Sequence, residues 1–126
     1  MPAFPWTSRG PIDPDQTYVV MASRLPLRRA RSVPGFLRDT LAIRRQLASA
    51  DGLVGYALDA NLFHRTFWTF SVWIDADRLH AFSTSDPHRR IIARLRPLMG
   101  ETRFSTSTAA GSAIPSTWPQ RKALVS

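Results

Sequence analysis

The nine residues from Thr66 to Ile74, TFWTFSVWI, constrain the fold more than any other part of the chain. β-Branched and aromatic residues dominate them, which predicts a strand, and strand side chains alternate between the two faces of a sheet. Trp68, Phe70, Val72 and Ile74 therefore share one face, and Phe67, Thr69, Ser71 and Trp73 share the other. The first face is wholly apolar and is expected to pack on helices. The second combines aromatic area with hydroxyls, as a cavity wall does: apolar surface supplies affinity and a few polar groups fix orientation.

The neighbouring periodicities place this strand in a topology. Tyr18 to Leu25, YVVMASRL, reads as a first strand stopped by Pro26. Pro34 suits the first turn of a helix, and Phe36, Leu37, Thr40, Leu41, Ile43 and Leu47 follow it as one stripe ending near Asp51 and Gly52. Leu53 to Leu62 is a second strand, joined to the third as a hairpin through His64 and Arg65. Asp75 can cap a short helix carrying Leu79 and Phe82. After a break at Ser83 to Ser85, Ser85 or Asp86 can cap a second segment with Pro87 in its first turn. Thr102 to Thr108 is the fourth strand. The order strand, helix, strand, strand, helix, strand is the ferredoxin-like split βαββαβ arrangement, an α+β fold with an antiparallel sheet and both helices on one face.

A chain of 126 residues, 44% hydrophobic, suits one domain. The first sixteen residues carry four prolines and no strand or helix period, and the residues after Pro115 are similarly irregular. The expected organisation is an extended arm over 1–17, a core over 18–114 and a second arm over 115–126. With nothing but these arms left to cover the far side of the sheet, a second copy packed sheet to sheet is expected, a homodimer whose arm from Pro115 to Leu124 clasps the partner.

No apolar run approaches the roughly 20 residues needed to cross a bilayer, and the amino terminus does not resemble a signal peptide, so a cytoplasmic protein without membrane contact is expected. The net charge of +8 invites a nucleic-acid reading. Sixteen of the seventeen basic residues are arginines in scattered pairs, better explained as solvated helix faces, and nucleic-acid binding is set aside. The chain lacks cysteine, and its three histidines show no metal-ligand spacing, so no metal is assigned. Neither a nucleophile-elbow serine nor a phosphate-binding glycine loop is present.

His88 stands with Ile91, Ile92 and Leu95 on one helical stripe, near a helix N-terminus and flanked by arginines, which disfavours its charged form. A neutral ring can accept a proton or ligate a metal; a half-buried histidine bonded to a backbone carbonyl is the plainer alternative. Trp73 and Phe67 can stack on a flat substrate or simply fill core. Thr69 and Ser71 need partners if buried, which favours a cavity beside them. Tyr56 can donate to a phenolic or quinonoid oxygen, and Arg103 can clamp an anion or carbonyl.

The run FWTFSVWIDADRLHAFSTSDPH, after LASADGLVGYAL and before the tail GSAIPSTWPQRKAL, resembles the dimeric α/β-barrel superfamily. Within it the chain is most similar to the monooxygenase-like group that includes spheroidene monooxygenase relatives and antibiotic-biosynthesis monooxygenase-type proteins, over about Tyr18 to Leu124. The resemblance implies a small apolar ligand, aromatic or polyene, in a pocket between the sheet and the second helix. It also implies cofactor-free oxidation, with a non-catalytic binding domain or a haem-binding protein as alternatives. In the haem-degrading members an asparagine, a tryptophan and a histidine form the site. Asn61, Trp73 and His88 are the counterparts here, with His88 the axial ligand, although that asparagine belongs on the first strand, where this chain has Ser23.

Overall fold

The computed structural model describes residues 4–126. In chain order these form β1 (Phe4–Ser8), β2 (Thr17–Pro26), α1 (Val33–Leu47), β3 (Leu53–Asn61), β4 (Thr66–Trp73), α2 (Ala76–Ser83), α3 (His88–Leu95), β5 (Arg103–Ala110) and α4 (Trp118–Ala123). The sheet order is β1-β3-β4-β2-β5, every pairing antiparallel. From β2 to β5 this is the ferredoxin-like arrangement expected from the periodicities, with the second helix broken into α2 and α3.

Two elements exceed that expectation. Part of the amino-terminal arm is a fifth strand: β1 pairs with the outer edge of β3, where its proline is tolerated because only one side of the strand must bond. Gly55 makes room for it, since a Cβ there would overlap the Trp6 ring. Residues 1–3 of the expected arm lie outside the described residues. In the carboxy-terminal arm, Thr117 and Gln120 build a reciprocal capping box that starts α4, a pattern overlooked in the tail sequence.

The two faces of β4 meet different covers, and one expectation is reversed. Phe67, Thr69, Ser71 and Trp73 face the helices. Phe67 packs into a core of Leu25, Phe36, Ile91 and Leu95, and Trp73 packs beside Leu47, Leu79 and Phe82. The apolar face, Trp68, Phe70 and Val72, turns away from the helices and lies beneath Trp6, Ile12, Ile114, Trp118 and Leu124 from the two ends of the chain. Ile74 falls just past the strand and is partly exposed. The chain's own ends thus supply the cover that the sequence assigned to a second copy.

Local chemistry fixes the helix ends. Asp75 accepts from the Arg78 backbone N–H at 2.9 Å and caps α2 as expected. Neither Ser85 nor Asp86 caps α3. Ser85 instead donates to the Ala81 carbonyl, and Asp86 pairs with Arg89. The cap comes from another helix: Gln46 of α1 accepts from the His88 backbone N–H at 3.0 Å and donates to the Phe82 carbonyl at 3.3 Å. Buried Asp39 pairs with Arg94, tying α1 to α3. Gly52, at φ 79°, makes the left-handed turn after α1. Among the described residues no helix is long and apolar enough to cross a membrane.

Candidate functional site

Between the helix-facing side of the sheet and α1, α2 and α3 lies a cavity of about 320 Å³, within the size range of small-molecule sites. Its floor is the second face of β4 with the facing residues of β2 and β3, and its roof is formed by Phe36, Ile43, Leu47, Leu79, Phe82 and His88. Phe104 and Thr106 of β5 border one side. The wall is mostly apolar, and its polar groups are few and individually placed.

Phe82 links the two aromatic residues that the sequence singled out. Its ring lies 5.3 Å from that of Trp73 and 5.0 Å from that of His88, both tilted. The half-buried imidazole approaches the Ser83 carbonyl with Nδ1 at 3.1 Å. A carbonyl only accepts, so Nδ1 carries the proton and neutral Nε2 keeps its lone pair. Burial pushes the His88 pKa below the ordinary histidine value, and the bond to Ser83 opposes this more weakly. The neutral state anticipated from the flanking arginines is therefore present, with desolvation as its main cause.

The hydroxyls meet the partner requirement that burial imposes. Trp73 donates its indole N–H to Ser71 Oγ at 2.9 Å. Thr69 and Ser23, directly opposite on β4 and β2, share a hydrogen bond between their hydroxyls. Tyr56 accepts from Arg44 Nε at 3.3 Å, and among the described residues its own proton has no acceptor. It therefore retains the donor capacity read from the sequence.

The structure gathers His88, Trp73, Thr69, Ser71 and Tyr56 around one space and leaves three sequence-nominated residues outside it. Phe67 is fully buried core, its ring 4.2 Å from that of Phe36. Asn61 ends β3 and accepts from the His64 backbone N–H at 3.2 Å in the hairpin turn. Arg103 begins the edge strand and pairs with Glu101 at 3.1 Å. The trio compared with the haem-degrading site is thus not assembled, because Asn61 serves the turn. His64 and His80 are both exposed, and no cluster of three metal-ligating side chains occurs among the described residues.

Sequence reasoning missed Arg44, which it assigned to a solvated face. The signal was available: Phe36, Thr40, Ile43, Arg44 and Leu47 stand at offsets of zero, four, seven, eight and eleven, so an arginine sits inside the apolar stripe. Gln46, which caps α3 from 42 positions away, left no local signal.

No family model matches the chain, and no curated protein does. Solved structures do match. A candidate monooxygenase from Fusobacterium nucleatum superposes with a TM-score of 0.70 at 11% identity, over 82% of this chain and 48% of that one, so this chain spans about half its length. A candidate antibiotic biosynthesis monooxygenase from Caulobacter crescentus gives 0.66 at 16% identity, over 75% and 92% of the two chains. A point variant of SnoaB, a cofactor-independent oxygenase from Streptomyces nogalater, gives 0.58 at 17% identity, over 78% and 98%. The chain has the ferredoxin-like fold of the antibiotic-biosynthesis monooxygenase-type proteins.

Proposed function

We propose that this chain binds a flat, largely apolar aromatic or polyene molecule in the cavity under α2 and α3 and oxidises it as a cofactor-independent monooxygenase. The observation that carries the reading is the neutral His88 ring, its Nδ1 proton committed to Ser83, on the wall of a mostly apolar cavity. Such a ring can take a proton from an acidic C–H of the bound molecule, and exclusion of water strengthens the transfer. The resulting carbanion reduces dioxygen, and the net reaction R₂CH₂ + O₂ → R₂C=O + H₂O balances without an external reductant. Trp73 and Phe82 would stack on the ring system, and the Tyr56 hydroxyl would donate to a phenolate or carbonyl oxygen. The SnoaB likeness supports the absence of a cofactor as part of this proposal.

The test is oxygen uptake with a panel of fused-ring phenols bearing an acidic methylene. Turnover is expected with the wild-type chain, and a loss of roughly 10²–10⁴-fold in His88→Gln, the range for a positioned acid or base. Turnover unchanged in His88→Gln would overturn the role of the imidazole.

Non-catalytic binding is the second reading. It is favoured by the His88 contact itself, since a bond from Nδ1 to a backbone carbonyl is also what a purely structural histidine makes. Saturable binding of the same panel without oxygen uptake would select it. For haem, Asn61 lies away from His88 and Trp73, so the haem-degrading arrangement does not fit and no step through haem is derived.

A homodimer and a cytoplasmic setting belong to the same proposal. The dimer is supported by β5, which among the described residues pairs only with β2, leaving its outer edge without a neighbour there and Phe104 63% exposed beside the cavity.

A further inference from the structure

A second cavity, about 460 Å³, lies on the opposite side of the sheet, where the two ends of the chain meet. Arg121 of α4 contributes to its wall although it is only 7% exposed. Its guanidinium sits over three aromatic rings, at 4.7 Å from the centroid of Phe70, 5.0 Å from Trp118 and 5.7 Å from Trp6. Among the described residues the guanidinium makes one hydrogen bond, from Nε to the Pro115 carbonyl at 3.2 Å.

Among the described residues no carboxylate reaches this cation. Arg121 enters none of the ion pairs among the described residues, and the acidic group drawn to α4, Asp59, is engaged by Lys122 at 2.7 Å. Cation–π contacts offset part of the cost of burying the guanidinium but do not supply a counter-ion. Among the described residues neither terminal nitrogen has an acceptor. The one fully enclosed side-chain polar atom without a partner among the described residues is Asp39 Oδ2, so both Arg121 nitrogens keep some open surface. Arg121 lines the cavity, whose other walls include Ile12, Ile114 and Pro115. A planar pair of N–H donors at one wall and apolar surface at the others matches an anion with two coplanar oxygens on a compact apolar body.

We propose that this cavity is a binding site for a small arylcarboxylate, gripped end-on by Arg121 and separate from the cavity at His88. The carboxylate replaces the missing counter-ion, and the ring of the ligand packs among Trp6, Ile12 and Ile114. The two cavities lie on opposite faces of the sheet, so the site stands or falls independently of the oxidation proposed above.

Benzoate, phenylacetate and inorganic phosphate are titrated into the full chain while the indole ¹H–¹⁵N resonances are followed. Trp6 and Trp118 report this site, and Trp73 reports the other. Benzoate or phenylacetate is expected to shift Trp6 and Trp118 saturably, with phosphate much weaker. Affinity is expected to fall roughly tenfold or more in Arg121→Gln, and less in Arg121→Lys, which keeps charge but loses the fork. If Arg121→Gln does not fold, Ser116→Trp decides: it fills the cavity from an exposed position, keeps Arg121, and should abolish the shifts with the unfolding midpoint unchanged. The proposal is overturned by equal affinity in Arg121→Gln or Ser116→Trp, by shifts confined to Trp73, by phosphate binding as tightly as benzoate, or by no saturation up to about 10 mM.

Discussion

Two contacts act in opposite directions on the charge of His88: burial disfavours the imidazolium, and the Ser83 carbonyl favours it, with burial the larger. The folded pKa therefore lies below that of the unfolded chain, about 6.5. As pH falls through that value the unfolded state takes up the proton first, so stability declines until the folded pKa is passed; above the unfolded value His88 adds no pH slope. An NMR titration of the ring should give a midpoint below the unfolded value, and His88→Gln should flatten the corresponding part of a stability-versus-pH curve. A midpoint at or above it would contradict the assigned surroundings. Ser71→Ala strands the buried Trp73 indole N–H and should cost about 1–3 kcal/mol in urea unfolding. Phe67→Ala should cost about 3–5 kcal/mol and leave ligand affinity intact in whatever folds, since Phe67 is core. Thr69, Ser71 and Trp73 were legible as wall residues because hydroxyls interleaved with aromatics on one strand face are hard to reconcile with dry core; Tyr56, on β3, was legible only as a donor. Asn61 and Arg103 were misjudged because a residue type does not reveal whether the turn or strand end beside it will occupy its polar atoms.

At the scale of elements, Gln46 is the joint between α1 and the break separating α2 from α3. Its amide accepts from the His88 backbone N–H and donates to the Phe82 carbonyl, holding both roof residues of the cavity. Gln46→Ala should lower stability by about 1 kcal/mol and weaken ligand binding together with it, while Gln46→Glu keeps the acceptor and should preserve much of α3. Equal binding in wild type and Gln46→Ala would show that α3 holds its position without the joint. Gly55→Val should detach β1, because the new side chain takes the space of the Trp6 ring. Hydrogen exchange would then rise at the amides of β1 while those of β4 stay protected. The broken helix was readable from its capping residues and Pro87, but its actual cap was not, because a glutamine on a distant helix carries no mark of the backbone N–H it will meet.

For the whole molecule, the outer edge of β5, unpaired among the described residues, and the exposed Phe104 predict association through that edge. Sedimentation velocity is expected to give a dimer for the wild type and a monomer for Phe104→Lys, since a lysine on an edge strand opposes pairing. A wild-type monomer at all concentrations would remove that interface. The sequence by itself determined the order of elements from β2 to β5, the hairpin, and the division of β4 into an apolar face and a mixed one. These follow from spacings of two and of three to four residues, which are properties of a short segment. Only the tertiary structure decided which face the helices cover, that the chain's two ends close the other, and that His88, Trp73 and Tyr56 border one space while Arg121, without a carboxylate partner among the described residues, borders another. The physical reason is that alternation sorts side chains into two sets without saying what each set will meet. That choice depends on crossovers and returning ends whose partners lie tens of residues away.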